Sequence, residues 1–231
     1  MPDSLLAAAD MLREIPGPVG PLEALLDGPA DRRGVTEDGL VETGAGHLRA
    51  AVVFGHPHPQ YGGTMHTKVV FQASKALARI GCAVLRFNFR GTGLSAGAYD
   101  EGRGEQDDFR AALDFMRQRY PASPLWAAGM SFGSWVGLTA GAGDPRVSAL
   151  IGIAMPVGHY DFEAVRRSSA AKFFIHGERD EVGPLKELKE FYARAEDPKE
   201  LVVIDAADHL FDGKVGEVAD AVEDLLGDWP Q

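Results

Sequence analysis

The chain has 231 residues, 45% apolar and 25% charged, with a net charge of −11 and one cysteine. That length suits one large α/β domain or two small ones, with a core large enough to need no metal or disulfide staple. So acidic a surface repels nucleic acid and anionic membranes, and a single cysteine excludes an intramolecular disulfide.

Leu5, Leu6, Ala9 and Leu12 recur at helical spacing, so residues 1–14 read as a tail or short helix. Asp3, Asp10 and Glu14 replace the basic start of a secretory signal, and no apolar run approaches the roughly 20 residues of a membrane span. A cytoplasmic location is the resulting expectation. Prolines 16, 18 and 21 with Gly17 stop any helix. Leu22–Leu26 reads as a strand, and Asp27–His47 as a long loop rich in glycine and charge.

From there strands and helices alternate. Strands are predicted at Leu48–Phe54, Ala83–Phe89, Leu125–Ala128, Ala149–Ala154, Lys172–Ile175 and Leu201–Ile204. Helices are predicted at Thr64–Ile80, Glu105–Arg119, directly after Gly129–Gly133, at Leu185–Ala195 and at Val215–Leu226. The alternation implies a mostly parallel sheet flanked by helices on both faces, in one domain over 15–231. Cys82 sits at a strand approach and reads as a small buried hydrophobe.

The stretch Gly129-Met130-Ser131-Phe132-Gly133 lies between a predicted strand and a predicted helix. A G-x-S-x-G pentapeptide in that context is a nucleophile elbow, which points to acyl transfer on Ser131. The glycines remove side chains that would clash in the sharp turn. The following helix aims its free amides at the place where an oxyanion would form.

Ligand-binding loops of such sheets lie at the carboxyl ends of the strands. Asp180 follows one later strand and His209 another. The order Ser131, Asp180, His209 is that of α/β-hydrolases. His209 can take and return the serine proton, and Asp180 can fix its tautomer. Asp205 and Asp208 are rivals for the acid role, but their nearness to His209 suits local turn duties.

One oxyanion donor is expected to be the amide of Phe132. The second should come from Gly55-His56-Pro57-His58-Pro59-Gln60-Tyr61-Gly62-Gly63. The prolines lack an N–H, which leaves His58, Gln60 or Tyr61. His56, His58 and His66 lack an accompanying carboxylate, so no metal and no cofactor is expected. His56 reads as a satisfied structural histidine and His66 as exposed on a helix surface. Arg90, in Asn88–Ser95, reads as a tether for a tight loop. That loop lacks the lysine of a phosphate-binding P-loop.

Taken together, His56-Pro57-His58-Pro59 with Gly62-Gly63-Thr64-Met65, then Leu85-Arg86-Phe87-Asn88-Phe89-Arg90-Gly91, Gly129–Gly133, and His176-Gly177-Glu178 with Asp180 resemble a family of small, cap-poor bacterial α/β-hydrolases. These are akin to dienelactone hydrolases and to the catalytic domains of prolyl-oligopeptidase-like enzymes. The likeness runs from about Ile15 to the C-terminus. It implies a Ser-His-Asp hydrolase of esterase type with little or no cap. It also favours His58 as second donor, because H-G-x loops of similar hydrolases place their donor there. A departure is the 33–47 stretch, which looks like an insertion opposite the catalytic face.

The short connection 155–171 implies an open site, with Tyr61, Tyr160 and Phe162 as apolar walls. The expected partner is a small-molecule acyl substrate, with a homodimer left open. An esterase is the leading reading. A thioesterase, lactonase or peptidase on the same residues is the alternative, and a non-catalytic binding protein the third.

Overall fold

A computed structural model describes residues 12–28 and 48–229. The predicted tail helix and the 33–47 insertion fall outside them, apart from Leu12, Arg13 and Glu14 at the tail's end, and Glu14 is in a strand. The strands are β1 (Glu14–Ile15), β2 (Leu22–Asp27), β3 (Ala51–Gly55), β4 (Ala83–Phe87), β5 (Leu125–Met130), β6 (Val147–Ile153), β7 (Ala171–Gly177) and β8 (Lys199–Ile204). They form one sheet in the order β1-β2-β4-β3-β5-β6-β7-β8. β1 and β2 are antiparallel to their neighbours, and β3 to β8 run parallel.

Both faces are covered, which is why the central strands are near-continuous apolar runs. Side chains alternate between the faces. Val52 and Phe54 of β3, with Trp126, Ala128 and Met130 of β5, pack beneath α1 (Lys68–Arg79) and α6 (Val215–Gly227). Ala51 and Val53, with Leu125 and Ala127, face the other way. There they meet α2 (Arg103–Arg119) and α3 (Phe132–Ala142). Phe109, Leu113 and Met116 of α2 are fully buried. Each such side chain contributes about 1.5–3 kcal/mol through the area it removes from water.

Four local differences from expectation have physical causes. β1 is a two-residue edge strand, Glu14 pairing with Glu23, too short for any periodicity to reveal. α1 begins at Lys68, because the Thr64 amide bonds to Thr67 Oγ1 and the Thr67 amide to the Thr64 carbonyl. His66 is therefore exposed in a turn instead of on the helix. β4 ends at Phe87, because the Phe89 amide is taken by the ring of His56. The chain around the insertion, Asp27 and Arg49, lies at the end of the sheet where Val84 and Gly81 sit, away from Ser131.

The β6–β7 connection carries only α4 (Glu163–Arg167), before α5 (Leu185–Arg194) follows β7. Among the described residues no cap domain stands over the carboxyl ends of the strands. Among the described residues no helix is long and apolar enough to cross a membrane.

Candidate active site

β5 delivers Ser131 to the carboxyl edge of the sheet, and α3 starts at the next residue. Ser131 has φ 53° and ψ −122°, a conformation that costs a side-chain-bearing residue roughly 1–3 kcal/mol. The turn is held from both sides. The Ser131 amide donates to the Ile153 carbonyl at 2.9 Å, and the Ser131 carbonyl accepts from the Ser134 amide and hydroxyl. A Cβ on Gly129 would collide with the Gly133 carbonyl, and one on Gly133 with the backbone of Gly55 and His56. Both positions therefore admit only glycine.

β7 ends at Gly177 and β8 at Ile204, and the loops after them bring Asp180 and His209 to Ser131. Nε2 of His209 lies 2.9 Å from Oγ of Ser131. Nδ1 lies 2.8 and 2.9 Å from the two carboxylate oxygens of Asp180. A carboxylate only accepts, so Nδ1 carries the imidazole proton and Nε2 presents a lone pair to the serine hydroxyl. All three side chains are nearly or fully buried.

Burial pushes the Asp180 carboxyl up, but the hydrogen bonds from His209 and the Gly183 amide outweigh it and hold it below the usual carboxylate range. The Val182 and Gly183 amides donate to Oδ1 at 2.9 and 2.7 Å. His176 braces the same loop, donating from Nε2 to the Gly183 carbonyl at 2.6 Å. Asp208 uses its carboxylate on the Leu210 and Asp212 amides, and Asp205 is exposed. Neither competes with Asp180 for His209.

The loop after β3 forms a single 3-10 turn, Pro59–Tyr61. The Gln60 amide is committed to Nδ1 of His58 at 3.2 Å, and the Tyr61 amide to the His58 carbonyl at 3.1 Å. Two of the three candidate second donors are thereby used up. Among the described residues, neither the His58 amide nor the Phe132 amide has a backbone or side-chain acceptor. Phe132 opens α3, where the first amides of a helix have no partner within it. His58 and Phe132 are neighbours, with ring centroids 4.8 Å apart.

His56 is fully buried, its Nδ1 donating to the Pro57 carbonyl at 2.6 Å while Nε2 accepts from the Phe89 amide at 3.1 Å. Burial drives its pKa down to about 4. Arg90 is tied to Asp108 through its guanidinium at 2.7 to 3.1 Å and through its amide at 2.9 Å. The guanidinium is therefore anchored within the protein through Nε and one terminal nitrogen.

The expected walls separate into two groups. Tyr61 is 87% exposed, with its ring 4.7 Å from that of His58. Tyr160 is half-buried beside the site, stacked on Trp135 at 4.3 Å and edge-on to Phe132 at 6.2 Å. Phe162 is not a wall, because it turns into the core against Phe191 at 6.1 Å. Trp135 and Tyr99 join the group in its place, packing 5.8 and 6.0 Å from Phe132. Trp135 had a sequence signal, lying four residues after Ser131 on the elbow helix. Tyr99 had none.

The mostly parallel sheet wrapped by helices, with a serine on a strained strand-to-helix turn, defines an α/β serine hydrolase. Residues 46–167 match the family described as serine aminopeptidase, S33, and the chain belongs to that family. It is 36% identical over 180 residues to an uncharacterized protein of Rickettsia prowazekii, covering 74% of this chain and 76% of that one. Among solved structures, an alpha-beta serine hydrolase homologue from Coxiella burnetii is 34% identical. It has a TM-score of 0.80 and coverage of 92% and 95%. A serine hydrolase without lid from Xanthomonas campestris is also 34% identical, with a TM-score of 0.80 and coverage of 91% and 90%.

Proposed function

We propose that this hydrolase cleaves small acyl esters through an acyl-enzyme on Ser131. The observation that carries the reading is the unbroken chain of hydrogen bonds from Asp180 through His209 to Ser131. His209 Nε2 takes the Ser131 proton as Oγ attacks the ester carbonyl. The oxyanion forms against the amides of His58 and Phe132. On collapse the bond to the leaving oxygen breaks, and that oxygen takes the proton from His209. Water then repeats the sequence and releases the acid. Asp180 stays ionised throughout, orienting the imidazole and stabilising its charged form.

Small or soluble acyl groups suit the site, because the 154–170 connection supplies only one short helix as roof. The family description raises peptide bonds as a second substrate class. A panel of nitrophenyl esters, thioesters, lactones and aminoacyl anilides, run against wild type and Ser131→Ala, tests both. Ester turnover that Ser131→Ala abolishes is the expected result. Anilide turnover exceeding ester turnover would move the assignment to peptidase.

A further inference from the structure

The loops after β3 and β4 meet in a hydrogen bond between His58 and Tyr99, and its direction follows from the neighbouring amide. A backbone N–H can only donate, and that of Gln60 points at Nδ1 of His58. Nδ1 therefore holds a lone pair, and the proton of the neutral ring sits on Nε2. Nε2 is 3.1 Å from the Tyr99 hydroxyl oxygen. His58 thus donates and Tyr99 accepts, which leaves the phenol's own proton uncommitted. Among the described residues no acceptor takes it. Burial lowers the His58 pKa, against the pull of the Glu105 carboxylate, and burial raises that of Tyr99. Both groups are neutral near pH 7, as this arrangement requires.

The position of the hydroxyl decides what it can reach. The Tyr99 ring is 5.2 Å from that of His58 and 6.0 Å from that of Phe132. Those two residues carry the free amides assigned above to the oxyanion. In the sheet, β4 lies on one side of β5 and β8 on the other, so Tyr99 and His209 approach Ser131 from opposite flanks. A leaving-group oxygen must face His209 to receive its proton. An acyl group directed away from His209 would extend toward the β3 and β4 loops.

We propose that the Tyr99 hydroxyl donates a hydrogen bond to an oxygen within the acyl group, selecting hydroxy-, alkoxy- or oxo-acyl esters over plain hydrocarbon ones. The proposal rests on the esterase reading. The surroundings support it: His58, Trp135 and Tyr160, packed around the buried Phe132, offer ring surfaces beside that one donor. A site built to hydrogen-bond an oxygen discriminates more sharply than an apolar pocket, because the wrong substrate leaves the donor unpaired.

The test uses two nearly isosteric esters, 4-nitrophenyl methoxyacetate and 4-nitrophenyl butyrate, which differ by an ether oxygen in place of a methylene. The readout is the ratio of their kcat/KM values, compared between wild type and Tyr99→Phe so that intrinsic reactivity cancels. The methoxyacetate-to-butyrate ratio should fall about tenfold in Tyr99→Phe, the effect of losing one hydrogen bond. An unchanged ratio overturns the proposal, even if both rates drop together, because a purely structural hydroxyl would act on both esters alike. Ser131→Ala distinguishes the two levels. If it hydrolyses both esters as fast as wild type, the underlying esterase reading has failed, and not the role of Tyr99 alone.

Discussion

The carboxylate of Asp180 stands 2.8 Å from Nδ1 of His209, and the same group accepts the Val182 and Gly183 amides. One side chain therefore both shapes its own loop and sets the tautomer of the imidazole that touches Ser131. Asp180→Asn separates these jobs. The amide oxygen can still accept the loop amides, but its NH2 faces Nδ1 and forces the proton onto Nε2. Turnover should fall about 10⁴-fold, while the melting temperature changes little. A kcat within tenfold of wild type would remove Asp180 from the mechanism.

Ser131 holds a conformation that favours glycine, with φ 53°. Ser131→Gly should relieve strain of about 1 kcal/mol and raise the melting temperature by roughly 2–4 °C. The same change should cost at least about 10³ in turnover. Differential scanning calorimetry beside an ester assay checks both. A lowered melting temperature would mean that the Ser131–His209 hydrogen bond outweighs the strain.

Acid should weaken the fold through His56. Its folded pKa is about 4, driven down by burial, against an ordinary 6.5. Below pH 6.5 the unfolded chain binds a proton that the native state refuses, since protonating Nε2 would evict the Phe89 amide. Stability is therefore lost as pH falls from 6.5 toward 4, by about 1.4 kcal/mol per unit once well below 6.5. His56→Gln keeps an acceptor for that amide and removes the titration. Urea midpoints at pH 7 and pH 5 should converge in the variant. An equal drop in both proteins would assign the acid sensitivity elsewhere.

Arg90 and Asp108 form a buried pair between the loop after β4 and α2. Asp108→Ala leaves a guanidinium buried without its partner, at a cost of about 3–5 kcal/mol. Chemical denaturation measures that loss directly. Arg90 anchors the chain segment that carries Tyr99, so substrate selectivity should degrade with it. Full stability in this variant would show that the loop is held by its other bonds.

Much of this architecture was readable before the structure. Six apolar strands, each ending near a turn, put Ser131, Asp180 and His209 after β5, β7 and β8, because burial on both faces leaves a parallel strand few polar residues. What escaped depended on side-chain direction. Phe162 looked like a pocket wall by position, yet its ring faces Phe191. The choice among His58, Gln60 and Tyr61 needed the Gln60 amide seen on Nδ1, a contact no spacing encodes. The His58–Tyr99 bond joins residues from two loops, so neither carries a local signature. The Thr64–Thr67 turn starts α1 at Lys68, four residues later than the helix predicted from Thr64.

The proposed acyl-enzyme requires that Ser131 become covalently modified during turnover. A fluorophosphonate probe reports this directly: it phosphonylates a serine only when a neighbouring base activates it. Wild type should gain one adduct, which peptide mass spectrometry assigns to the segment containing Ser131, and Ser131→Ala should gain none. No adduct on wild type, or an adduct that survives in Ser131→Ala, would exclude Ser131 as the nucleophile.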